Sequence, residues 1–305
     1  VNGRYVQFGP APCDPRWLEA DPMDLSGLLK SGENAIGIQA LYFGFGDGTW
    51  PIGKPGFIFY LEIEEQNGAK QLIVSDEAWR VLLTRAWRPG QYKRWYVRSL
   101  QEEFDARRYP YGWAEPGYSM NESWLAAMTL KGRPDQPALT TLYKEYMFDI
   151  SGSRCRDAQL RKRSIPMMRE EKVAVQRLSE GYRLEWRHPV EDYFEFVTPD
   201  AFRVSGQPEV QEAEKGHWQV RCDGKSGIAL TFEFSEQVVG WPGFALQAPA
   251  GTVVEVLVHE AHELGGPVLI NSHFNAWTRF ICQEGINHFE TFDFESLRWL
   301  QLHIH

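Results

Sequence analysis

From Val173 to His305 the sequence is a succession of short runs in which the character of the side chain flips at every second residue, and this constrains the fold more than any other feature. "GYRLEW", "YFEFVT", "HWQVRC", "GIALTFEFS", "GFALQA", "TVVEVLVHE", "WTRFICQEG", "HFETFDF" and "LRWLQLHIH" follow one another with turn residues between them. Successive side chains of a strand point to opposite faces, so alternation is the mark of a sheet, whereas a helix repeats every three to four residues. No stretch supplies a series of long amphipathic helices. The expectation is an all-β chain: two jelly-roll or β-sandwich domains in tandem, with short helical turns and an irregular connector.

The first half carries the same pattern more loosely. "RYVQF", "NAIGIQALYF", "GFIFYLEIEE", "NGAKQLIVSD" and "EAWRVLLT" read as strands, punctuated by Asn-Gly, Gly-Asp-Gly and proline. Residues 25–30 read as a short helical turn ended by Gly32. Asn2-Gly3 is the favoured pair for a type I′ hairpin turn, which calls for a strand on each side. The strand that should precede it is missing, so the chain is expected to be a fragment, or numbered from within a larger protein. Residues 106–172 are rich in proline, and "NESWLAAMTL" within them predicts a short helix capped by Asn121. The expected organisation is a galactose-binding-like jelly roll over residues 1–130, a connector over 131–172 and a second β-sandwich over 173–305.

Length and charge bound the function. A chain of 305 residues accommodates two domains with separate cores. A net charge of −9 argues against nucleic acid or an anionic membrane surface as partner, since either asks for a basic face. No apolar run reaches the length of a membrane span. Cys13, Cys155, Cys222 and Cys282 lie far apart with no C-x-x-C pair; the plain reading is free thiols of a reducing compartment, which favours the cytoplasm over secretion, and the alternative is one or two bridges among them. Aromatic residues make up 14%, enough to fill the space between sheets and to leave a few rings for a ligand.

One stretch invites a metal reading. "VVEVLVHEAHELGG" holds two histidines and three glutamates. The H-E-x-x-H zinc motif needs histidines four apart on one helix, so that both imidazoles face one ion. Here His259 and His262 are three apart, and Glu263 stands where the second ligand belongs. Val254, Val256 and Val258 alternate with Glu255, Leu257 and His259, which predicts a strand closed by the Gly265-Gly266 turn. No metal site is expected there. No G-x-S-x-G elbow or phosphate-binding loop occurs, and "GFGDGTW" leads into no helix.

Several motifs, taken in order, resemble a known family. "VNGRYVQFGPAP", "DLSGLLKSGENAIGIQALYFGFGDGTWPIGKPGFIFYLEI" and "SDEAWRV" resemble the N-terminal β-domain of bacterial α-L-rhamnosidases and related glycoside hydrolases. "LRKRSIPMMRE" is similar to the link between sandwiches in that family. "GTVVEVLVHEAHELGG" and "WTRFICQEGINHFETFDFESLRWLQLHI" are similar to the strands of the following sandwich. The resemblance covers nearly the whole chain in matching order. It implies an inverting hydrolysis by two carboxyl groups, one protonating the leaving oxygen and one activating water. In the family both sit in a helical toroid that follows the β-domains, so no catalytic residue is expected within these residues.

The resemblance implies two partners, a helical catalytic domain of the same polypeptide and a rhamnose-containing glycan. Candidate glycan contacts are Trp50 and Trp241, both in Gly/Pro-bounded loops, and Glu260, which aligns with an acidic residue at a strand end. For Glu260 the plainer role is to satisfy loop N–H groups. No cofactor is expected, with Asp47 a weak candidate for a calcium site on a jelly-roll loop. The alternative is a free-standing carbohydrate-binding or adhesion protein.

Overall fold

The computed structural model describes residues 1–11, 19–42, 56–88, 102–129, 160–187, 202–221, 224–266, 268 and 278–305. The candidates Trp50 and Asp47, the cysteines Cys13, Cys155 and Cys222, and the predicted strand "YFEFVT" lie outside the described residues. Among the described residues the chain is nearly all β, with a single 3-10 turn at Ala106–Arg108. It divides into two units. One joins Val1–Leu83 to Pro110–Arg169, and the other joins Thr84–Tyr109 to Glu170–His305. The second unit thus takes up a segment that a sequential reading assigns to the first jelly roll.

In the first unit, three two-stranded ladders are formed by six short strands, numbered with the rest in chain order. β1 (Glu19–Ala20) pairs in parallel with β7 (Arg161–Lys162), β2 (Tyr60–Glu64) pairs with β3 (Lys70–Val74), and β4 (Arg80–Val81) pairs with β6 (Leu125–Ala126). The Asn67-Gly68 turn joins β2 to β3 as predicted, with Gly68 at φ 83°. The helix predicted over "NESWLAAMTL" does not form. Asn121 Oδ1 accepts from the Ser123 N–H at 3.0 Å, which closes a turn, and Leu125–Ala126 then bonds to β4. A helix this short is marginal without a face to bury, and ladder bonds to an existing strand outweigh it. Among the described residues, neither 4–8 nor the 34–42 part of the predicted strand 34–43 forms a ladder.

Two of the quoted motifs are fastened to each other in this unit. Asn2 and Gly3 take φ of 52° and 75°, the geometry of the I′ pair. The Asn2 side chain donates to Leu28 O and to Asn34 Oδ1, each at 2.9 Å, and its Oδ1 accepts from the Ala35 N–H at 2.9 Å. Asn34 in turn accepts from the Lys30 N–H at 2.8 Å, which pins the "LKSGEN" turn. The "RSIP" motif is anchored similarly. Arg163 meets Asp21 at 2.9 Å with both side chains under one-tenth exposed, and Ser164 Oγ donates to Glu19 at 2.8 Å.

The second unit is built on a seven-stranded sheet. Its order is β5 (Glu103–Asp105), β15 (Thr278–Ile281), β14 (Val253–His259), β17 (Glu295–Ile304), β12 (Gly227–Gly240), β8 (Arg177–Trp186) and β9 (Phe202–Gly206). Every neighbouring pair is antiparallel except β15–β5, which is parallel. On one face lie Ile228, Leu230 and Phe232 of β12, Val254 and Val256 of β14, Phe280 of β15 and Leu300, Leu302 and Ile304 of β17. They pack against the pair β10 (Glu209–Glu214) and β11 (His217–Arg221), and the pair β13 (Gly243–Ala248) and β16 (Gly285–Glu290), through Val210, Trp218, Phe244 and Phe289. Phe280 and Phe289 stack with centroids 4.6 Å apart. This is the sandwich the alternation predicted: each strand buries its apolar side, and each buried large side chain contributes about 1.5–3 kcal/mol.

Candidate functional site: the polar face of the seven-stranded sheet

The opposite face of the same sheet holds the chemistry. Register places its side chains in cross-strand rows. One row runs Glu103, Arg279, Glu255, His303, Ala229, Tyr182, and the next runs Leu257, Gln301, Thr231, Glu180. A bulge in β8 opposite Thr231/Phe232 resets the phase, so that Arg177 lies opposite Glu233 in the row of Trp299 and His259. Alternation alone would give this side to solvent, yet Glu255, Thr231, Gln301 and His303 are all at 0% exposure and Arg279 is at 4%.

Burial of that kind is tolerated only where polar groups find partners. Arg279 Nη2 donates to Glu255 Oε1 at 2.8 Å and Nε to the same oxygen at 3.2 Å, with Glu103 Oε2 at 3.5 Å on the other flank. Gln301 Nε2 donates to Thr231 Oγ1 at 2.8 Å and to Val268 O at 2.6 Å, and its Oε1 meets His303 Nε2 at 2.8 Å. Complete burial, with His305 beside it, holds the His303 imidazole well below its ordinary pKa, hence neutral. Glu233 bonds Arg177 and Arg298 at 2.7 and 3.0 Å. Burial would push its carboxyl up, but those two guanidiniums outweigh it and hold the pKa low.

The histidine-glutamate motif has its explanation on this face. Val253–His259 is a strand, as the alternation predicted, and His259 Nδ1 accepts from the Ala261 N–H at 3.0 Å. The loop then crosses the sheet. His262 sets its ring edge on Trp299, with centroids 5.2 Å apart, and Nε2 reaches Glu180 Oε2 on β8 at 2.7 Å. Glu180 Oε1 accepts from the Gly265 N–H at 2.7 Å and from the Tyr182 hydroxyl at 3.1 Å. Burial raises the Glu180 pKa, but these donors and the imidazole together bring it below the usual carboxylate range. The two histidines therefore serve different partners. Among the described residues, no group of three or more His, Cys, Asp or Glu side chains is placed to hold a metal ion.

The sequence candidates fall elsewhere. Glu260 is exposed, one residue beyond the end of β14. In the loop that follows it, the Gly265 N–H is bound by Glu180, eighty-five residues away in sequence. Trp241 is half-buried between β12 and β13 and packs edge-to-face on Phe294, with centroids 5.7 Å apart. Cys282 is buried and unbridged, and burial pushes its thiol up to about 11. Glu180, Glu255, Arg279, Gln301 and His303 were missed because polar residues at alternate positions read as the wet side of a sheet. The one available hint was their complementarity, acid facing base and amide facing hydroxyl across neighbouring strands.

Comparison with known proteins bears on the first unit most directly. Residues 14–141 match the family described as "Alpha-L-rhamnosidase N-terminal domain". The resemblance read from the sequence thus holds over the N-terminal part of the chain. This rhamnosidase-type range includes the segment 84–109 that the fold places in the second unit. No curated protein matches the sequence. Among solved structures, a GH78 family rhamnosidase of Bacillus sp. GL1 superposes with a TM-score of 0.63 at 14% identity, covering 100% of this chain and 48% of that one. The chain therefore spans about half the length of that enzyme. A Streptomyces avermitilis alpha-L-rhamnosidase complexed with L-rhamnose aligns with a TM-score of 0.40 at 16% identity, over 85% of this chain and 19% of its own.

Proposed function

We propose that the chain is the non-catalytic β-sandwich portion of an α-L-rhamnosidase-like glycoside hydrolase, and that it supports a helical catalytic domain of the same polypeptide. The family match over residues 14–141 carries this reading. The chemistry of the polar face favours support over catalysis. A general acid must hold its proton near neutral pH, and its partner must be free to activate water. Glu255 and Glu233 are instead locked to guanidiniums, and Glu180 is held as an acceptor by an imidazole and a backbone N–H. Such groups fix the strands in register and make a stiff platform.

The finer part of the proposal is that the chain holds rhamnose-containing glycan through Trp50, Trp241 and Glu260. An indole beside a carboxylate suits the C–H face and the adjacent hydroxyls of a sugar. Titration calorimetry with rhamnose-containing oligosaccharides tests it: Trp50→Ala and Trp241→Ala each weaken binding, and unchanged affinity in both removes those residues from the reading. For the enzyme-support reading, the purified chain is assayed on an aryl α-L-rhamnoside. The expected result is no turnover by the chain alone. Robust turnover would place the acid and base within these residues and overturn the assignment.

A further inference from the structure

The segment 84–109 joins the second unit as an excursion whose two ends lead into the first unit at Leu83 and Pro110. Its two arms bond to each other, Arg88 N–H to Glu103 O at 3.0 Å and Asp105 N–H to Ala86 O at 2.7 Å. The second arm, β5, adds to the edge of the sheet by only three residues. A strand that short holds weakly by its ladder alone. Ala86, Phe104 and Ala106 set the two arms into the core, and Glu102, the residue before β5, adds a polar tie. Glu102 is 2% exposed. Its Oε1 accepts from the Phe292 N–H at 2.6 Å, in the connection between β16 and β17, and its Oε2 accepts from Trp87 Nε1 at 2.8 Å, on the first arm. One carboxyl group therefore links the two arms to each other and to the β16–β17 connection.

No cation is paired with Glu102 among the described residues. Asp293, itself 3% exposed, adds negative charge from the β16–β17 connection. The charged neighbours on the strap are engaged elsewhere: Arg88 with Glu103 at 3.3 Å, and Arg107 with Asp105 at 2.8 Å. Arg279 of β15 donates its backbone N–H to Glu102 O at 2.7 Å, but its guanidinium is turned to Glu255.

We propose that Glu102 is a proton-operated clasp, closed when its carboxyl is neutral and loosened when it ionises, so that the arms 84–88 and 102–105 loosen from the sheet edge as the pH rises. Burial first, and then the Asp293 charge, push the Glu102 pKa up to about 7, against the hydrogen bonds from Phe292 and Trp87 that lower it. A folded-state pKa above the unfolded value means that stability is fully present below the unfolded value and drains away as pH rises through the folded one. The window lies between 4.5 and about 7.

Hydrogen exchange of the intact chain at pH 5 and pH 8, which span that window, corrected for intrinsic rates, tests the clasp. The amides of Ala86–Arg88 and Glu103–Asp105 are expected to lose protection by about tenfold to 10²-fold across that step, while those of β12 and β17 hold. Glu102→Gln, which has no titratable group but sets an amide NH2 against one of the two N–H donors, lowers protection of the arms by the same amount at both values, so the pH dependence disappears. Trp87→Phe removes a donor that favours the ionised form, and so moves the midpoint of loosening to higher pH. An equal pH-dependent loosening in Glu102→Gln, no loosening in the parent chain, or a midpoint that stays put or falls in Trp87→Phe overturns the proposal.

Discussion

Arg279→Leu is the substitution that bears most directly on why the polar face is stable. Glu255 is fully buried, and its Oε1 takes two bonds from Arg279, at 2.8 and 3.2 Å. Removing the guanidinium leaves a carboxylate in a site closed to water on a central strand, facing the buried His305 Nε2 at 3.4 Å. Loss of one member of a buried pair costs about 3–5 kcal/mol, most of it the penalty on the charge left behind. Replacing both members with apolar side chains removes that penalty together with the attraction. The double variant Glu255→Leu/Arg279→Leu is therefore expected to lie at least about 2 kcal/mol closer to the parent than Arg279→Leu does. Urea unfolding of the parent, Arg279→Leu, Glu255→Leu and the double variant, followed by tryptophan fluorescence and far-ultraviolet circular dichroism, yields the four midpoints. If Arg279→Leu costs under about 1 kcal/mol, or if the two single losses simply add, the carboxylate is hydrated or otherwise compensated and the reasoning fails.

Two further substitutions probe the hydrogen-bonded knots. Asn2→Ala loses three side-chain bonds and places a Cβ-bearing residue without a local acceptor at φ 52°, whereas Asn2→Gly loses the bonds alone. Both are expected to lower the thermal midpoint, with alanine worse by about 1 kcal/mol, and equal midpoints would show that the backbone conformation costs nothing. Glu180→Ala frees the Gly265 N–H and the His262 ring from β8, so hydrogen exchange over residues 261–266 is expected to rise at least about tenfold. Because the Glu180 pKa is lowered in the folded chain, its contribution is present above the unfolded value and is lost as pH falls through the folded one. Acid, not base, should therefore open that loop in the parent chain; no change in its protection at low pH would show that the carboxylate does not hold it.

What could be read from the sequence was whatever is decided within a few residues. Val254, Val256 and Val258 announce β14 because only a strand puts all three on one face. Asn2-Gly3 and Asn67-Gly68 announce turns because they tolerate positive φ. The helix predicted from Asn121 failed because capping chemistry is equally at home in an isolated turn, and the competing bonds came from Arg80–Val81, more than forty residues back. Likewise nothing local in Glu103–Asp105 says that it will pair in parallel with Arg279–Ile281.

The site was hidden for a related reason. Alternation tells which residues share a face, but not which face is dry. On β17, Leu300 and Leu302 face one layer and Gln301 and His303 the other, and both sets are buried. A polar side can be closed off when most of its groups meet complements on neighbouring strands, which is a property of register, although Glu255 Oε2 takes no hydrogen bond from the described residues. Glu255 opposite Arg279 and Gln301 opposite Thr231 satisfy that condition. The same logic sets Glu102 apart from them. It is as deeply buried, but its partners are an indole and a backbone N–H, neither of which carries a charge. A carboxylate balanced by a cation keeps its fold across neutral pH, and one balanced only by dipoles is sensitive to the proton. The ion-paired rows therefore provide rigidity, while the edge strand beside Glu102 responds to pH near neutrality and the loop held by Glu180 responds to acid.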